Sequence, residues 1–404
     1  GIEPDENMKK LTVYHVLTMT NGMARHPIMD AEWLKNYLAE PVVAEPGTEF
    51  LYNSSGSCLL GAIVKKKTGK GMREFLKEFL FDKIGIDGER FQIFRFPDGY
   101  DAEPGTASVT EDNLRLAILF MNYGNWNGEQ IIAEDWMHMA MSCQISTEPN
   151  GGTEDYRHGY GFQLWNSAIP GVYRFDGGQG QYGLIWPERK IAVAIHEGAV
   201  MPEGPQITLD VLYEYLLNEM RNEPLPENPQ ADAALLEFER NLKVPEQEAN
   251  TLYVPTECFS GSYVVVSGDG DPWISVAPGG YNFFTCFYHA DKKQAFTDFT
   301  LKMDEQKCVF TVDGYAVFEA YFDGKHHPVY TDNVLPEIGW NCSYARYLDE
   351  DTLQITTKWL NGWFDDRIVM KKKGDILEMT FYKDRLTVSD NRYTIKHCTA
   401  KRQQ

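Results

Sequence analysis

The 404-residue sequence places no cysteines at the spacing that redox or zinc sites use. Its seven (Cys58, Cys143, Cys258, Cys286, Cys308, Cys342 and Cys398) are odd in number and form no CxxC, and none stands at ligand spacing from a histidine. This argues against a disulfide framework and a zinc site, and for buried free thiols in a reducing, cytoplasmic compartment. Long apolar runs are also missing. None approaches the roughly 18 residues that span a bilayer, so no membrane span is expected, and the opening GIEPDENMKK lacks a signal peptide's apolar segment. Positive charge is scarce, with 38 Lys and Arg against 59 Asp and Glu and a formal net charge of -21. Such a surface repels nucleic acid and anionic membranes.

What is present is enough apolar material for a sizeable core, with 43% hydrophobic and 13% aromatic residues. The length favours two domains over one. Residues 1–222 read as a mixed helix and strand domain, 223–250 as a linker with a short helix, and 251–404 as an all-β domain. Thr12 caps a short helix through Val16 that stops at Asn21-Gly22. Ala31 to Leu38 supplies a further helical stretch, and Met72, Phe75, Leu76, Phe79 and Leu80 mark an amphipathic helix. Phe91 to Gly105 reads as loop, and Thr110 caps a helix striped by Leu114, Ala117, Ile118 and Met121. Strands follow from alternation at Tyr160 to Leu164, Tyr173 to Phe175, Tyr182 to Trp186 and Ile191 to Ile195. Helices grouped on an antiparallel sheet make an α+β domain.

The chain is organised around Pro46 to Val64, PGTEFLYNSSGSCLLGAIV. Pro46 and Gly47 hold the approach extended, and Leu59, Leu60, Ile63 and Val64 mark a helix that Gly69 stops. Ser54 or Ser55 is the expected N-cap. Tyr52, Asn53 and Ser54 therefore stand at a loop-to-helix corner, where side chains project into a cleft. Further on, Gly178 to Gly183 satisfies GxGxxG. A dinucleotide site would need a helix after it, and here a period-two strand follows, bounded by Pro187. The run reads as a bulge or tight hairpin, and no cofactor is expected.

Pro224 to Ala233 is Pro-rich and polar, opening a short helix through Leu235, Leu236 and Leu242. Beyond Cys258, turn signals at Asp313-Gly314, Asp323-Gly324, Asn361-Gly362 and Gly374-Asp375 punctuate alternating segments such as Leu353, Ile355, Thr357 and Trp359. An antiparallel barrel or sandwich is expected. The adjacent His326 and His327 suggest no metal site.

Together, LTVYHVLTMTNGM, the Tyr52 corner, TGKGMREFLKEFLFDKIGI and FDGGQGQYGLIWPERKIAVAIHEG resemble, in the same order, the serine β-lactamase, DD-peptidase and esterase superfamily in its class C-like branch. The resemblance runs from about Leu11 to Met220. It implies the family's α+β transpeptidase-like fold and a small-molecule or peptide substrate bearing an amide or ester bond. Tyr52 and Ser54 then match the catalytic Tyr-x-Asn or Tyr-x-Ser. Asn53, Asp176, Gly177 and Gly178 become the substrate and oxyanion side. The family's Lys-Thr-Gly or His-x-Gly strand is matched best by Phe175-Asp176-Gly177, with Phe175 at the cation's place.

The resemblance also implies a serine nucleophile with a lysine three residues later, one helical turn on. No serine in the sequence has a lysine at that spacing. The family's order puts that helix before LTVYHVLTMTNGM. The expectation is a hydrolase domain truncated at its N-terminus and inactive as it stands, or a binding protein for peptides or cell-wall fragments on the same fold.

Overall fold

The computed structural model describes residues 6–96, 98–199, 203–268, 297–312, 315–330, 340–360, 365–384 and 393–403. The chain divides into two compact units, the first taking the described residues up to Thr208 and the second those from Leu209 onward.

In the first unit, Thr12 accepts from the His15 backbone N–H while the His15 ring accepts from that of Thr12, a reciprocal cap on α1 (Val13–Leu17). The corner helix, α2 (Ser54–Thr68), ends at Gly69 with φ 74°, the left-handed stop expected of glycine. Its cap is Asn53, which replaces the expected Ser54 or Ser55. Phe91 to Gly105, expected as loop, contains an antiparallel ladder of Gln92–Arg95 on Asp101–Ala107. The turn signals around Gly99, at φ 80°, close a hairpin there.

The sheet has the order β1 (Trp165–Asn166), β2 (Tyr173–Gly177), β3 (Gln181–Trp186) and β4 (Ile191–His196), antiparallel throughout. The expected strand from Tyr160 to Leu164 is reduced to bridges at Tyr160, because Gln163 takes φ 57° and turns the chain. Across one sheet face lies α3 (Thr110–Met121). There Phe175 meets Phe120 edge-on at 5.1 Å, beside a core of Ala117, Met137, Met141, Phe162 and Ile185. Successive strand residues point to opposite faces, so Arg174 and Asp176 share the other one. Met19, Phe50, Tyr160 and Trp165 form the smaller core cluster beneath the Tyr52 corner.

The second unit contains a closed barrel. Its strands are β5 (Gly261–Gly268), β6 (Asp298–Met303), β7 (Lys307–Val312), β8 (Tyr315–Tyr321), β9 (Val329–Tyr330), β10 (Trp340–Asp349), β11 (Thr352–Trp359), β12 (Asp365–Lys373), β13 (Ile376–Asp384) and β14 (Tyr393–Arg402). They run 8-7-6-5-14-13-12-11-10, and parallel pairing of Ala320 and Tyr321 with Ser343 and Tyr344 closes the ring, leaving β9 as a short addition to β10. Barrel therefore replaces the alternative of sandwich, since closure pairs the strand edges that a sandwich leaves open. The interior is packed with side chains such as Phe299, Phe310, Leu353, Ile355, Met370 and Phe381. Gly374 turns β12 into β13 at φ 63°, whereas Asp313-Gly314 and Asn361-Gly362 lie outside the described residues.

The six cysteines among the described residues form no disulfide, and Cys286 lies outside them. No helix among the described residues is long and apolar enough to cross a membrane.

Candidate active site

The corner is assembled from short-range bonds. Asn53 is fully buried, and its Oδ1 accepts from the Gly56 N–H at 3.0 Å while its Nδ2 lies 3.3 Å from the Met23 sulfur. A side chain so engaged serves the helix, which corrects the expectation that Asn53 faces substrate. The Ser54 N–H donates to His26 Nε2 at 2.9 Å, and His26 Nδ1 lies 2.8 Å from the Pro27 carbonyl. These two bonds select the tautomer protonated on Nδ1. Burial pushes the His26 pKa down, which keeps that neutral form.

Tyr52 projects outward from this base. The residue is 44% exposed, and its ring stacks on Trp165 at 5.9 Å and 18°. Its phenol pKa is pushed up to about 12, first by burial of the hydroxyl end and then by the charge of Asp176, while a hydrogen bond with Ser54 works in the opposite sense. The structure thus brings Tyr52, Ser54 and Asp176 into one electrostatic neighbourhood.

Asp176 belongs to a buried ion network that sequence reasoning missed. Its Oδ2 accepts from Arg174 Nε at 2.7 Å and its Oδ1 from the Tyr156 hydroxyl at 3.0 Å. Arg174 is wholly buried and also reaches Asp155 Oδ1 at 3.5 Å, the Asp155 carbonyl at 3.0 Å and Ser167 Oγ at 3.2 Å. Its guanidinium lies over the Tyr156 ring at 5.1 Å and the Trp165 ring at 5.8 Å. Asp155 in turn accepts from Ala168 N–H and from Gln206 Nε2, and its own N–H donates to Gln206 Oε1. Burial raises the Asp176 pKa, and Arg174 opposes that rise.

This overturns the placing of Phe175 at the cation's position. Phe175 packs on Phe120 of α3, and Asp176 lies on the opposite face of β2, bonded to Arg174 and Tyr156. The alternation Arg174, Phe175, Asp176 carried the necessary signal, since residues two apart on a strand share a face. Asp155 and Tyr156 sit on a short helical turn outside the sheet, with no comparable signal.

Gly177 is the last residue of β2, paired with Gln181. Gly178 is exposed, and a Cβ there would meet nothing within 4 Å. The GxGxxG run opens as the hairpin turn between β2 and β3, with Gln179 at φ 80° and Gly180 at φ 92°, and its last three residues belong to β3. The backbone N–H groups of Ala199 and Glu197 donate to their carbonyls and hold that turn. His326 and His327 are engaged separately, the first with Tyr344 and Val244, the second with Asp323.

Residues 3–197 match the family model described as Beta-lactamase. The monacolin J acid methylbutanoyltransferase of Aspergillus terreus is 29% identical over a stretch covering 23% of this chain and 26% of that protein. The chain thus spans 26% of the length of the curated relative it matches. Among solved structures, the octameric penicillin-binding protein homologue from Pyrococcus abyssi aligns with a TM-score of 0.41 and 16% identity, covering 98% of this chain and 80% of that one. SurE aligns with a TM-score of 0.40 and 13% identity, covering 97% and 79%.

Proposed function

We propose that this chain, whose residues 3–197 belong to the serine β-lactamase and transpeptidase-like superfamily, carries the acid/base side of a site acting on amide or ester bonds. Tyr52 is the proton-handling group, Ser54 its polar neighbour, and the backbone at Gly177 and Gly178 the edge along which substrate lies. The observation that supports this reading is the stacking of Tyr52 on Trp165, which pairs with Arg174 of β2, the strand that also bears Asp176. With its pKa near 12, the phenol is neutral at pH 7 and serves as a proton donor. Acting as a base would require a cation close to its oxygen. No serine of these 404 residues is followed by lysine at the family's spacing, so acyl-enzyme formation by the family's route is not available to this stretch of chain alone.

The neutral phenol also favours a second reading, a site that binds a peptide or cell-wall fragment without turnover. The discriminating experiment exposes the 404-residue chain to a fluorophosphonate and to a fluorescent penicillin and measures intact mass. No adduct is expected. A covalently labelled serine would show that a nucleophile is present after all and overturn the inactive assignment.

A further inference from the structure

One contact at the α2 corner is built for a single protonation state. Residues 26 and 27 clasp the first turn of α2 by two successive bonds: the Ser54 backbone N–H donates to His26 Nε2 at 2.9 Å, and Ser55 Oγ donates to the Pro27 carbonyl at 3.2 Å. The same carbonyl accepts from His26 Nδ1 at 2.8 Å, so the neutral ring is bonded at both nitrogens. Asn53 takes the Gly56 N–H, and His26 satisfies the first amide of the helix. A further proton on this ring has one place to go, Nε2, and there it faces the Ser54 N–H as donor against donor. The added charge also stands at the positive end of the helix dipole.

We propose that His26 is a pH-sensitive latch on the Tyr52 to Ser54 corner: protonation at Nε2 expels the ring from the Ser54 N–H, and the first turn of α2 loses its hold on residues 26 and 27. The latch regulates the site assigned above and rests on that reading for its consequence alone, since the bonds that make it need no substrate. The charged groups around it are engaged elsewhere. In its own segment Arg25 is paired with Glu40, and Asp30 accepts from Asn36 and from the Glu32 N–H. The helix Trp33–Ala39, bonded to that segment through Asn36 and the Ile28 carbonyl, brings Lys35, which is paired with Glu32. The α2 corner brings the Tyr52 phenol, neutral throughout the acid range. Burial therefore sets the direction and lowers the ring pKa from 6.5, against the opposing influence of the backbone at Pro27 and His26. The latch is closed at neutral pH and opens as pH falls below 6.5. The unfolded chain takes up this proton first, so native stability declines in the same direction.

NMR of the 404-residue chain tests this without substrate or turnover. The His26 ring should titrate with a midpoint below 6.5. The Ser54 amide should be protected from hydrogen exchange above that midpoint and lose about tenfold or more of its protection below it, once the intrinsic pH dependence of exchange is removed. Signals of the Tyr52 ring and the Trp165 indole should shift with the same midpoint, because Tyr52 stands two residues before Ser54 and stacks on Trp165. H26Q supplies an acceptor that does not titrate, so it should abolish the pH step and keep Ser54 protected. H26A removes the acceptor and should leave Ser54 unprotected on both sides of the midpoint. Where either variant does not fold, coincidence of the ring and amide midpoints in the wild type decides. A ring midpoint at or above 6.5, a ring that stays neutral until the chain unfolds, Ser54 protection or Tyr52 and Trp165 signals that ignore the ring, or a pH step that persists in H26Q would overturn the proposal. Covalent labelling of a serine leaves this inference standing and changes only the inactive assignment. Absence of the pH step removes this inference and leaves the reading of Tyr52 in place.

Discussion

Arg174 and Asp176 stand two residues apart on β2, and neither is independent of the other. A wholly buried guanidinium between two buried carboxylates is held by mutual neutralisation. Removing it leaves both acids with an uncompensated desolvation cost, so R174A should lose roughly 3–5 kcal/mol of stability in urea unfolding. D176N acts in a different way. It deletes the second-largest influence on Tyr52, so the phenol's alkaline transition should move down from about 12. It should stay above the ordinary value of about 10, because burial remains the first cause. Ultraviolet difference titration of D176N against wild type checks this, and an unmoved Tyr52 transition would separate the two groups. The sequence led to Tyr52 and Asp176 as expected site residues; it held no signal for Asp155 and Tyr156, the groups bonded to the Arg174–Asp176 pair. Those two come from a turn about 20 residues earlier in the chain, and only packing against β2 brings them into reach.

A helix of 15 residues starts at the corner, and its start depends on one amide. N53A removes the bond to Gly56 N–H at 3.0 Å and should cost about 1 kcal/mol, within the usual 0.5–2 range for a lost cap. N53S should recover part of that, as read from urea midpoints. The existence of this helix was plain from its apolar spacing and its terminal glycine. The cap was misread because Asn53, Ser54 and Ser55 are all good capping residues, and the choice among them depends on which side chain reaches an unpaired N–H. The hairpin after β2 gives the same lesson. Its glycines predicted a turn, while the need for one at Gly180 comes from elsewhere, since a Cβ there would lie 2.0 Å from Glu197 Oε1.

Across the whole molecule, buried phenols set the alkaline limit. The pKa is raised by burial at Tyr37, Tyr52, Tyr156, Tyr160 and Tyr182 in the first unit and at Tyr344 and Tyr347 in the second. A folded pKa above the unfolded value means the native state holds protons that the unfolded chain gives up. Their contribution is complete below pH about 10, where phenols in the unfolded chain titrate, and is lost as pH rises toward 12. Stability should therefore fall steeply above pH about 10, with phenolate absorbance rising in step with loss of structure. A full, smooth titration of all 22 tyrosines in the folded protein would contradict it. Periodicity, turn residues and the order of motifs were enough, in sequence alone, to determine most of the helices, the antiparallel sheet, the all-β character of the C-terminal region and the helix at the Tyr52 corner, because each depends on contacts between near neighbours. Closure of the barrel and the seating of Arg174 between two acids were decided only in three dimensions. Each of those depends on which distant groups share a buried volume, and on the cost of leaving any charge there without a partner.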